Sequence, residues 1–140
     1  MITNAKHLTP GIEFINLESG VKPEIADNVI FNGVIDCSEK VIIEKDVFTG
    51  HMCWILTNQH DPNQFGEDRK KSAIKKPVTI KEGAWLATGC IILGGVTIGK
   101  NAVVGAGAVV NKDVPDFALA VGVPAKIVKY YNFNNNENIG

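Results

Sequence analysis

Several signatures are missing from this 140-residue chain, and each absence removes a class of function. Lys and Arg together number 14 against 15 Asp and Glu, a net charge of -1, so there is no basic surplus of the kind that binds nucleic acid. No apolar run approaches the length of about 20 residues that spans a bilayer. The start, Met1 to Pro10, lacks the apolar stretch of a secretory signal, and a cytoplasmic protein is expected. Cysteine is scarce: Cys37, Cys53 and Cys90 are odd in number and at no metal-ligand spacing, so buried thiols are expected and no metal site.

What is present is a repeat of six. One aliphatic or small residue recurs every sixth position at Ile25, Phe31, Cys37, Ile43, Thr49 and Ile55. After a break the count resumes at Ile80, Leu86, Ile92, Ile98, Val104 and Val110. A second series runs four positions behind, from Val29 to Cys53 and from Ala84 to Val114, with Gln59 as its one departure. A helix repeats every three or four residues and a plain strand every two. A period of six fits short strands joined by tight corners, three hexads to a triangular coil. Stacked coils would lie about 4.8 Å apart, the distance between paired strands. Each coil buries its apolar face only against its neighbours.

The expected fold is therefore all-β: a parallel β-helix over residues 25–131, with one long inserted loop at 61–79. Residues 1–24 form a lead-in that the repeat does not reach. Phe117 to Tyr131 should run back along the surface, and the Asn-rich end, 132–140, should be a flexible tail. The inserted loop carries Pro62, Gly66 and Pro77. Its Arg69, Lys70, Lys71, Lys75 and Lys76 could draw in a phosphate-bearing ligand.

Residues next to inward positions point outward. That row reads Ile30, Asp36, Ile42, Phe48, Trp54, His60, Trp85, Ile91, Thr97, Val103, Val109, Pro115. Phe48 should stack on Ile30, and Val103 on Trp85. Contiguous exposed apolar surface marks an interface, and self-association is the simplest account. His60 stands at the end of the row, where a rigid coil meets the loop. A histidine there suits removal of a proton from an attacking acceptor. His51 falls near a corner, and His7 lies in the lead-in. The nine-residue spacing of His51 and His60 does not match the zinc-binding histidines of γ-class carbonic anhydrase, which shares the β-helix.

These features together resemble the hexapeptide-repeat acyltransferases, in their maltose and galactoside O-acetyltransferase branch. The likeness runs from about Ile25 to Lys129. It is most specific in Trp85-Leu86-Ala87-Thr88, Gly95-Val96-Thr97-Ile98-Gly99, Val104 to Val110, Lys112-Asp113-Val114-Pro115 and Gly122-Val123-Pro124-Ala125-Lys126. His60-Asp61-Pro62, Pro77-Val78 and Trp85 fit the branch's order of histidine, loop, Pro-Val and Trp. The resemblance implies a left-handed coil, a homotrimer with sites between subunits, and acetyl coenzyme A as co-substrate without a metal. It implies His60 as general base. Trp85 would flank the acetyl end and the acceptor, and backbone groups at Thr88 and Ala106 would hold the pantetheine arm. Asn111, Lys112, Lys126 and Lys129 match positions near the nucleotide end. Asn32 and Asp36 are the candidates for acceptor contact, although Ser38 stands where the branch has its Asp. The acceptor would be a sugar or nucleotide sugar. The alternatives are N-acylation of a nucleotide-linked amino sugar, and a non-catalytic β-helix scaffold.

Overall fold

A computed structural model describes residues 11–131. Three parallel sheets enclose one core. The first face carries β2 (Glu24–Ile25), β4 (Val41–Ile43), β9 (Val78–Ile80) and β12 (Thr97–Ile98). The second carries β5 (Phe48–Thr49), β10 (Trp85–Leu86), β13 (Val103–Val104) and β15 (Ala118–Val121), with Ile30 bridged to Phe48. The third carries β1 (Ile12–Ile15), β3 (Gly33–Asp36), β6 (Cys53–Leu56), β11 (Ile91–Leu93) and β14 (Val109–Val110). Glu24 pairs with Ile42, Thr79 with Thr97 and Ile91 with Val109, so neighbouring coils differ by three hexads.

Every residue of the two inward series is buried, from Ile25 to Val114, including the three cysteines, none of which is in a disulfide. A buried Ile, Leu or Val side chain contributes about 1.5–3 kcal/mol. Each coil can gain this only when its neighbour is in place. The corner between the first and second faces needs a left-handed residue in every coil. Asn28, Asp46 and Asn101 supply it at φ 57°, 64° and 54°, Gly83 at 73° and Phe117 at 60°. Asn and Asp tolerate that region best among residues with a side chain. Asn28 Nδ2 also donates to Asp46 Oδ1 at 2.8 Å, linking one coil to the next.

Three expectations change. First, the register slips by two residues on the third face. Phe31 lies beside Thr49, but Gly33 pairs with Cys53 and Ile35 with Ile55. One residue, Asn32, turns the corner that Gly50, His51 and Met52 turn in the next coil. Cys37 therefore does not stack on Ile55, and Val34, not Asp36, lies under Trp54. Asp36 is consequently buried and not outward.

Second, the loop is structured. β7 (Asn58–His60) pairs antiparallel with β8 (Ala73–Lys75), and α1 (Gly66–Lys71) crosses the tip. Val78 and Thr79, counted with the loop, already belong to the coil. The strands are short and polar, so no apolar period marks them. Third, β1 extends the third face from within the lead-in, by pairing with β3. The segment after Phe117 first continues the second face as β15. Only then does it turn back as β16 (Lys126–Tyr130), antiparallel to β15. His7 and the 132–140 segment lie outside the described residues.

Candidate active site

The hairpin puts His60 at the end of β7, exposed, three residues after the coil is left at Thr57. Its partner across the hairpin is Ala73, a small residue. The imidazole lines two hollows. One, about 460 Å³, is shared with Gly66, Arg69 and Lys70. The other, about 130 Å³, is shared with Gln59, Pro62, Ile74, Lys76 and the coil residues Thr57 and Gly94. Asp61 is turned into the loop, where Oδ1 accepts the Asn63 N–H at 2.9 Å. Arg69 is also occupied by the loop: Nε donates to the Gln64 carbonyl at 2.8 Å, Nη2 to that of Pro62 at 3.1 Å, and the guanidinium lies 5.3 Å from the Phe65 ring centroid. Lys70 pairs with Glu67. Part of the loop's positive charge therefore holds the tip together.

A second group of candidates lines the corner between the second and third faces. Asn32, His51, Thr88 and Ala106 follow one another there, coil by coil. The Gly89 N–H donates to the His51 carbonyl at 2.8 Å, and the Gly107 N–H to the Thr88 carbonyl at 2.9 Å. Thr88 Oγ1 accepts the His51 backbone N–H at 3.2 Å. Asn32 Nδ2 lies 3.2 Å from His51 Nδ1, within hydrogen-bond reach. A corner residue such as His51 carries no hexad signal, so the sequence alone does not single it out. Its pairing with Asn32 depends on the two-residue slip.

Trp85 stands three residues before Thr88 on the second face, 42% exposed. Its ring stacks on Phe48, centroids 5.8 Å apart and planes 9° from parallel. A third group gathers near the C-terminal end of the coils. Lys112 and Lys126 line one hollow of about 260 Å³ with Asp113, Val114 and Ile127. Asn111 is exposed beside Lys112, and Lys129 lies 5.4 Å from the Tyr131 ring centroid. The chain thus brings Lys112 together with Lys126, and Asn32 together with Thr88 and Ala106. His60 and Trp85 it leaves on different elements, the hairpin and the second face.

Asp36 does not reach any of these surfaces. Both of its oxygens are taken: Oδ1 by Asn16 and Ser38, Oδ2 by the backbone N–H groups of Thr57 and Asn58. Burial alone would push this carboxyl up. The bonds from Asn16, Ser38 and Asn58 outweigh burial and hold it below the usual carboxylate range. The residue named as a candidate for acceptor contact is therefore enclosed in the protein's own hydrogen bonds. Among the described residues no group of His, Cys, Asp and Glu could hold a metal ion.

Residues 77–112 match the family model for the bacterial transferase hexapeptide of six repeats. Galactoside O-acetyltransferase of Lactococcus lactis is 48% identical over 65 residues, which cover 46% of this chain and 31% of that protein. Among solved structures, a galactoside acetyltransferase in complex with coenzyme A superposes with a TM-score of 0.81 at 27% identity, over 96% of this chain and 67% of that one. A hexapeptide-repeat acetyltransferase of Vibrio cholerae, complexed with acetyl coenzyme A, gives 0.76 at 30% identity, over 88% and 66%. The repeat, the three-faced coil and these likenesses define a left-handed parallel β-helix. Residues 77–112 carry the bacterial transferase hexapeptide, and over most of its length the chain is similar to hexapeptide-repeat acetyltransferases. It spans between 31% and 54% of the length of three curated relatives that it matches.

Proposed function

We propose that this chain transfers an acetyl group from acetyl coenzyme A to a hydroxyl of a sugar or sugar-like acceptor, with His60 as general base. The observation that carries this is the placing of His60: an exposed imidazole on a hairpin, opening onto two hollows. In the reaction His60 takes the acceptor's hydroxyl proton as that oxygen attacks the thioester carbon. The tetrahedral intermediate then collapses, the carbon–sulfur bond breaks, and the proton passes from His60 to the leaving thiolate. A backbone N–H at the Thr88 corner would stabilise the oxyanion, a contact worth about 3 kcal/mol where it has been removed from other enzymes. No covalent enzyme intermediate is required. Acetyl transfer to a panel of sugars and nucleotide sugars, read by mass spectrometry, tests this directly. No acetyl coenzyme A binding and no acetylated product would leave a β-helix scaffold as the better reading.

The active unit in this proposal is a homotrimer. Ile30, Phe48, Trp85 and Val103 form one ladder along the second face, and the first three are 47%, 44% and 42% exposed. An apolar ridge of this continuity on a single chain calls for a covering surface. A second copy can also bring a Trp85 to a His60, which one chain keeps on separate elements. Light scattering at micromolar concentration should give three chains per particle, and a monomer would contradict the proposal.

Lys112 and Lys126 are proposed to hold the nucleotide end of coenzyme A, since they share one hollow. Lysine recognises phosphate as a point charge, and salt screens an exposed pair. Lys112→Ala and Lys126→Ala should each raise KM for acetyl coenzyme A and change kcat little, the signature of lost uniform binding. The effect should shrink with a donor truncated before the nucleotide. Unchanged donor KM in both variants at low salt would mark the two as ordinary solvated lysines.

A further inference from the structure

We infer that Asp36 is a positioning residue for His60, its buried carboxylate clamping the root of the hairpin that carries the imidazole. The inference rests on the reading of His60 as the base. Five donors converge on this one side chain. Oδ1 accepts Asn16 Nδ2 at 2.8 Å, the Ser38 N–H at 3.0 Å and Ser38 Oγ at 2.7 Å. Oδ2 accepts the N–H of Thr57 at 3.1 Å and of Asn58 at 3.0 Å. The Asp36 carbonyl accepts Thr57 Oγ1 at 3.0 Å, so Thr57 is held at both its backbone and its side chain. Among the described residues no cation pairs with Asp36. A carboxylate 2% exposed without a counter-ion is tolerable only when hydrogen bonds replace water, and here they do.

The clamp matters because little else holds the hairpin. No residue of α1 is buried, and every residue of β8 is exposed. The attachments lie at the root. Besides the carboxylate, the Thr57 carbonyl accepts the Lys76 N–H at 3.0 Å and closes the second leg. From Thr57 an extended strand leads to His60, a reach of about 10 Å at roughly 3.4 Å per residue. A small tilt at the clamp therefore becomes a larger displacement at the imidazole. Asparagine cannot substitute. It offers one acceptor oxygen, and its NH₂ would face donors on the other side.

Acetyl transfer from acetyl coenzyme A to maltose or a galactoside tests the inference. Asp36→Asn should lower kcat by about 10- to 100-fold, the scale of a misplaced catalytic group, and leave KM for acetyl coenzyme A nearly unchanged. In a His60→Ala background the same substitution should cost nothing more, since it acts through that side chain. Amide hydrogen exchange at residues 58–60 should speed up, while β11 keeps its wild-type protection. If Asp36→Asn does not fold, Asn16→Ala removes one donor from a half-buried side chain and should show the same pattern, more weakly. A kcat loss of equal size in the His60→Ala background overturns the inference, and so does unchanged exchange at the root. Exchange needs no acceptor. If the wild type acetylates neither sugar, the functional reading is what suffers, and exchange still decides the clamp.

Discussion

His60→Ala should lower turnover by about 10²- to 10⁴-fold, the range lost with a general base, and leave the fold intact. The side chain is exposed, so its removal opens no cavity in the core of the coil. The hairpin keeps its backbone pairing, because Asn58 to His60 bond to β8 through the main chain. Steady-state rates and a thermal unfolding curve on the same sample separate the outcomes. A variant with more than half of wild-type turnover would rule out the role of base. One that no longer unfolds cooperatively would make His60 structural.

Gly33→Ala should be the most damaging single-methyl substitution in the coil, by roughly 2 to 6 kcal/mol when backbone strain and overpacking are combined. Two features of the site converge. Gly33 sits at φ 144°, where a residue with a side chain is strained. A Cβ there would also overlap the Cys53 carbonyl oxygen and approach the Cys53 nitrogen and carbonyl carbon to 2.6 and 2.8 Å. These are backbone atoms of the neighbouring strand and cannot turn aside. A loss of this size is a large fraction of a typical domain's stability of about 5–15 kcal/mol. Gly20→Ala is the matched control. It also has a positive φ, 79°, yet nothing lies within 4 Å of its Cβ, so only the left-handed backbone cost of about 1–2 kcal/mol remains. Denaturant midpoints for the two variants should differ clearly. Equal midpoints would mean that the corner at Asn32 relaxes freely.

The repeat made the fold legible because its signal is redundant. Each inward residue predicts others three hexads away, and all of them are buried. Counting could not see a pair of compensating changes inside one coil. The corner at Asn32 is two residues short and the turn after Asp36 is correspondingly long, so the period is restored by Val41 and the slip leaves no trace in the count. That is why Asp36 was placed outward. The hairpin was hidden for another reason: three-residue strands such as Asn58-Gln59-His60 bury too little to show any pattern. Residues whose candidacy stands on chemical identity, His60, Trp85 and the lysines, can be named from the sequence alone. The candidate site was not legible where a role comes from contact, as between Asn32 and His51 or between Asp36 and Thr57.

The antiparallel insertion also bears on how freely the chain can be lengthened. Adjacent coils close a circuit of 18 residues, seen from Asn28 to Asp46, and the coils on either side of the hairpin close one of 37, from His51 to Thr88. Loop-closure entropy grows only with the logarithm of length, so doubling the circuit costs about 0.6 kcal/mol. The tip between Pro62 and Gly66 could accept many more residues for a similarly small entropic cost, as long as the Thr57–Lys76 root stays pinned. Residues added at the tip would leave every stacked hexad in register, because no coil counts its period through the insertion. The wall beside His60 can in this way be rebuilt by simple elongation, without touching the core that supports it.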